Sequence, residues 1–135
     1  MSLQSNASAI GWASIKAVSG VDVDLSRSGG GGPSSIVAVP GDTMVDQMNA
    51  DGQTVRMKVR DYIVGRSEFE AIIGAGEKPD RGDVIVETVG DYSRTYEAIE
   101  LGGEVSRWWD KDGTAIRIHT TETAQETTTT TTAGA

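Results

Sequence analysis

The strict alternation of VDVDLSR (21–27) constrains the fold most. Val21, Val23 and Leu25 alternate with Asp22, Asp24 and Ser26. That period of two is the mark of a strand with one face buried. It returns in SIVAVP (35–40), VIVETVG (84–90) and TAIRIHT (114–120). In VRMKVRDYIVG (55–65), Val55, Met57 and Val59 fall on one face and Arg56, Lys58 and Arg60 on the other. YSRTYEAIEL (92–101) reads as a strand anchored by Tyr92, Tyr96, Ala98 and Leu101. Turn signals separate these runs: SGGGGPSS (28–35), taken as a mobile loop, AGEKPDRGD (75–83), Gly102-Gly103, and the hairpin dipeptide Asp112-Gly113. Short strands spaced by turns predict an all-β domain, here a small β-barrel. Helix is expected only near the start, over ASAIGWASIKAVS (7–19), with Ala9, Ile10, Ala13 and Ala17 on one face and Gly20 as its stop. SEFEAII (67–73) reads as a turn or a single helical turn.

Three segments follow. Residues 1–20 form an N-terminal segment with a short helix, 21–120 the barrel, and 121–135 a threonine-rich extended C-terminal arm. Within the barrel, GDTMVDQMNADGQT (41–54) reads as one long loop that embeds Met44, Val45 and Met48. Loops of that length in compact domains usually carry function, and a solvated one would not need an apolar trio. The arm cannot bury a core of its own, but β-branched threonines suit an edge strand on another chain. Thr128 and Thr130 represent that run as interface candidates.

The site chemistry is mostly exclusion. The absence of cysteine removes disulfides, thiolate metal sites and thiol catalysis. No signal peptide and no membrane-length apolar run are expected. The glycine run lacks the Lys-Ser/Thr ending and the following helix of a phosphate loop. DQMNADG (46–52) has the wrong spacing for an EF-hand. The RGD at 81–83 belongs to a P-x-x-G-D turn. His119, the single histidine, alternates with Ile116 and Ile118 and lacks any nucleophile context. No catalytic, cofactor or metal residue is therefore assigned. Trp108 and Trp109 are adjacent in a strand and must face opposite ways. One is expected in the core. The other is either a surface aromatic covered by Arg107 or Lys111, or an interface anchor. A net charge of −8 argues against a nucleic-acid clamp, whose affinity comes from neutralising phosphates.

The order of landmarks is more specific than any one of them. SGVDVDLSRSG, IVAVPG, VRDYIV, KPDRGDVIV, YEAI and RWWDKDGTAIRIHT follow one another over roughly residues 19–120. In that order they resemble the head–tail joining, or head-closure (stopper), proteins of long-tailed phages. Arg27 stands where the family has a basic turn; Ala98 stands where it has Val or Ile, and the polythreonine tail lies outside the pattern. The resemblance implies a non-enzymatic virion protein of the neck, assembled in the host cytoplasm. It implies a homo-oligomeric ring, a hexamer by analogy, that joins the filled head to the tail and lines or closes the DNA channel. Its partners would be portal or adaptor proteins on the head side and tail terminator or tail-tube proteins on the tail side. Genomic DNA would pass without specific binding, and no membrane is involved. A tail-completion or tail-tube subunit is the second reading. A monomeric ligand-binding or hydrolytic barrel, using His119 with Asp110 or Asp112, is the third.

Overall fold

The computed structural model describes residues 3–48, 50–101 and 103–127. A helix, α1 (Leu3–Ser19), leads into β1 (Val21–Ser26), β2 (Ser34–Met48) and β3 (Thr54–Gly65). A second helix, α2 (Arg66–Ile73), precedes β4 (Val84–Val89), β5 (Tyr92–Ala98), β6 (Ser106–Trp108) and β7 (Ala115–Thr127). Every ladder is antiparallel, in the order β3-β2-β1-β4-β5-β7-β6, and a further pairing of β3 with β7 closes a six-stranded barrel. Short β6 is appended to β7 outside that ring.

Alternation decides what is inside. Val23, Leu25, Ile36, Ala38, Tyr62, Val64, Ile85, Tyr96, Ala98, Ile116 and Ile118 form one buried cluster. Facing pairs such as Val23↔Ile36, Tyr62↔Ile118, Val64↔Ile116 and Ile85↔Tyr96 keep that face in register round the barrel. Each of its valines, isoleucines and leucine contributes about 1.5–3 kcal/mol of transfer free energy. Tyr92, expected as an anchor, is half exposed at the start of β5 instead.

Three expectations are corrected. First, 41–54 is not a loop. β2 runs on to Met48, and β3 begins at Thr54, paired from Ala38↔Val64 out to Met48↔Thr54. β1 reaches only Ala38, so the outer part of this hairpin is a two-stranded ribbon standing beyond the barrel. The overlooked signal is Asp51-Gly52, with Gly52 at φ 77° in the turn. Pro40 is tolerated because the ladder to β1 has already ended there.

Second, SGGGGPSS is exposed over most of its length, but two of its glycines make close approaches the sequence did not suggest. A Cβ on Gly31 would lie 1.9 Å from the Ile72 carbonyl oxygen, and one on Gly32 2.2 Å from that of Leu25. The glycines let the chain pass between β1 and the end of α2. That helix has two turns, not one, and sends Phe69 into the barrel cluster with Ile72 and Ile73 packed against it.

Third, α1 docks by Trp12, not by Ala13 and Ala17, which are exposed. Trp12 joins Val39, Ile63, Ala115 and Trp109 in a second cluster on the barrel's outer wall. Gly20 does end the helix, its N–H donating to the Lys16 carbonyl at 2.9 Å.

Phe69→Ala is expected to cost about 3–5 kcal/mol, the range for emptying a large buried side chain. The urea midpoint should fall with an unchanged slope. A cost below about 1 kcal/mol would place α2 outside the cooperative core.

Candidate assembly surfaces

The ribbon splits the apolar trio. Even-numbered positions continue the barrel's inner face: Asp42, Met44, Asp46 and Met48 on β2, opposite Arg60, Lys58, Arg56 and Thr54 on β3. Val45, at an odd position, pairs with Met57 in the ladder. Met44 is 54% exposed, Met48 71% and Val55 42%. The ion pair between Arg56 and Asp46 spans 3.4 Å in the open and adds little. A two-stranded ribbon without a third element is marginal in water. Its methionines and valine stay largely open to solvent.

The ribbon's root is fastened by Asp61, which has no exposed surface. Its carboxylate accepts from Arg117 Nε at 2.5 Å, His119 Nδ1 at 3.0 Å and the Thr43 hydroxyl. A carboxylate offers only acceptors, so His119 Nδ1 carries the hydrogen. Arg117 Nη2 also reaches the Asp42 carbonyl at 3.1 Å, and the Thr120 hydroxyl donates to the Arg60 carbonyl at 2.7 Å. Three strands, β2, β3 and β7, are thus tied at one point. His119 Nε2 lies 3.7 Å from Glu104 Oε1. The hydrogen bond from Arg107 holds the Glu104 carboxyl below the usual carboxylate range, against a small opposing effect of desolvation.

These contacts do not form a hydrolytic set. The Thr43 hydroxyl faces Asp61 rather than the imidazole. Asp110 Oδ1 instead caps the Thr114 N–H at 2.8 Å in the Asp112-Gly113 turn. Among the described residues no three His, Cys, Asp or Glu side chains converge as metal ligands, and no helix is long and apolar enough to cross a membrane.

A second polar group closes one end of the interior. Arg60 Nη2 and the Tyr62 hydroxyl both donate to Glu87 Oε1 at 2.7 Å. The Arg60 guanidinium lies over the Tyr62 and Tyr96 rings. Burial raises the Tyr62 phenol well above its usual range, and its bond to Glu87 adds to this against the opposing pull of Arg60. The barrel is consequently filled along its length, as six strands dictate.

Arg27 and the KPDRGD turn prove to be one device. Arg27 meets both oxygens of Asp83, at 2.8 and 2.9 Å, and Glu77 at 3.1 Å. The fork onto Asp83 raises the Arg27 pKa. Asp83 also accepts the Asp80 N–H and is buried. Within the RGD tripeptide Asp83 turns inward while Arg81 stays exposed, and the Arg27–Asp83 contact braces the end of β1 against the start of β4.

The two tryptophans separate as adjacency requires. Trp109 packs on Trp12, ring centroids 5.6 Å apart, outside the barrel rather than within it. Trp108 is 44% exposed and is covered in part by Arg66, 5.4 Å above its ring. It borders a shallow groove of about 280 Å³ with Lys78, Pro79, Ser106, Arg107 and Ile116. Residues 121–127 continue β7 and pair with β5 of the same chain, Thr121↔Glu97 through Thr127↔Tyr92. Thr128 and Thr130 lie outside the described residues.

A barrel with a projecting ribbon presents surfaces on which other chains can assemble, and the comparison with known families points the same way. The family described as phage head–tail joining protein matches residues 1–127. The chain belongs to that family. Membership makes it a structural component of the virion neck that interacts with other head and tail proteins of the phage. A search of curated proteins finds no match.

Asp61→Ala strips Arg117 and His119 of their shared acceptor. Breaking such a pair costs most when both partners are buried; with Arg117 partly exposed the expected loss is about 2–3 kcal/mol. Adding Arg117→Met should recover part of it, and a neutral Asp61→Ala would remove the clamp from the account. Glu104 gives a pH signature. Its folded carboxyl titrates below the unfolded one, so its contribution is present at neutral pH and is lost as pH falls through the depressed folded value. Its NMR titration midpoint should return to the ordinary range in Arg107→Ala; an ordinary midpoint in the unaltered protein would contradict the contact.

Proposed function

We propose that the chain is a non-enzymatic ring subunit between the portal side of the head and the tail, with the barrel as the wall of the ring and the ribbon as its reach toward neighbours or the DNA path. The ribbon carries this reading: six register pairs from Thr43↔Val59 to Met48↔Thr54 project beyond the barrel, with Met44, Met48 and Val55 bared. An apolar surface of that kind is characteristic of a site that another chain covers. The filled interior adds a second constraint. DNA has no route through a barrel, so its channel must run between subunits. The net charge of −8 suits a wall past which the genome slides without binding. Trp108 is an interface candidate on the opposite side of the appended β6 hairpin. Portal or adaptor proteins and tail-side rings are the partners this placement calls for.

The test is to shorten the ribbon. Replacing residues 45–57 with Asn-Gly keeps the Met44↔Lys58 pair and closes it with a two-residue hairpin turn. The shortened protein should melt near the parent's temperature yet fail to complement a phage lacking the gene, leaving filled heads and free tails in the lysate. Normal plaque counts from the shortened protein would overturn the proposal. His119→Gln should keep infectivity within a few-fold; its collapse with intact particles would point to chemistry instead.

A further inference from the structure

The ladder that closes the barrel stops early. β3 and β7 pair from Gly65↔Ala115 to Arg60↔Thr120, yet β3 starts at Thr54 and β7 runs on to Thr127. Over 54–59, β3 is paired only with β2, and over 121–127, β7 is paired only with β5, among the described residues. Two strand edges are left with unpaired backbone donors and acceptors. The separation is built in: the β5–β7 register shifts between Thr95 and Tyr96, leaving Thr123 as an extra residue on β7. A bulge bends its strand and turns it from its neighbour. Proteins ordinarily blunt such edges, because an open edge is a template for another chain.

The two edges differ in charge. The β3 segment TVRMKV carries Arg56 and Lys58 and no acid, while the β7 segment TETAQET carries Glu122 and Glu126 and no base. All of 121–126 is exposed, as are 54–56. Arg56 meets Asp46 in an exposed contact of 3.4 Å. We infer that a second copy of this chain occupies each edge: the acidic β7 edge of one subunit pairs as an added strand with the basic β3 edge of the next. Main-chain bonds supply affinity in this mode of recognition, and the facing charges select which edges meet. The contact joins two different surfaces, so it repeats head to tail, and it closes as a ring when the rotation from one subunit to the next divides a full turn. This rests on the ring reading above and names its joint.

The absence of native cysteine gives a clean background for the test. Val55→Cys protein is mixed with single-cysteine variants at each position from 121 to 126, and mass photometry of the same samples reports the oligomer. At least one mixture should give a disulfide-linked heterodimer that neither component gives alone. Charge reversal is the second arm. Glu122→Lys with Glu126→Lys, checked for native circular dichroism, should raise the assembly midpoint about tenfold, since like charges then face each other across the joint. Arg56→Glu with Lys58→Glu in the same chain should restore it. Rings that form without any mixed disulfide, or a reversal that is not rescued, overturn this joint and leave the ring reading standing. A protein that stays monomeric even with the portal present overturns both.

Discussion

The pairing of β3 with β7 is the contact on which the rest depends. It joins residues 60 apart in sequence at Arg60 and Thr120 and converts an open sheet into a barrel. Without it Tyr62, Val64, Ile116 and Ile118 would have no common interior. Long-range antiparallel closure has a high entropic cost, and the chain secures it with more than backbone bonds. Asp61 is buried between Arg117, His119 and Thr43, a clamp across three strands where the barrel ends and the ribbon begins. His119, which in sequence offers a candidate acid–base group with Asp110 or Asp112, is bonded instead to Asp61 and is part of the rivet of the closure.

Closure also fixes what is left over. A six-stranded barrel has just enough room for its own side chains, so the fold offers no lumen. In the proposed reading function falls to the outside: the ribbon of β2 and β3, the open edge of β7 over 121–127, and Trp108 at the end of β6. The conditions that make each marginal alone, open edges and bared methionines, are those that another chain relieves. A head–tail joining protein needs a rigid body and surfaces completed on assembly, and the clamp at Asp61 separates the two.

Much of the barrel was legible in sequence because inward residues alternate where one face is buried. Val23, Leu25, Ile116 and Ile118 read correctly, and Asp112-Gly113 marked its hairpin. The β2 arm of the ribbon was not legible, because its exposed positions Asp42, Met44, Asp46 and Met48 mix polar and apolar residues and so lose the alternation that identifies a strand. Its polar stretch passed for a loop, although Asp51-Gly52 marked the turn. The helix face failed for a related reason: one Trp12 outweighed a stripe of alanines. Asp61 carried no local signal at all, since its partners Arg117 and His119 come from a strand more than fifty residues away. The order of family landmarks did carry across, and Arg27 with Asp83 explains why two of them belong together.

Native-state amide hydrogen exchange, compared between free protein and assembled necks, tests the division into a finished barrel and an unfinished ribbon. In the free protein, 60–65 and 115–120 should exchange slowest, while 43–48 and 54–59 exchange at least roughly a hundredfold faster, because their bonds open without global unfolding. In assembled particles the ribbon should slow toward the barrel's rate. Ribbon amides already as protected as the barrel in the free protein would contradict the account.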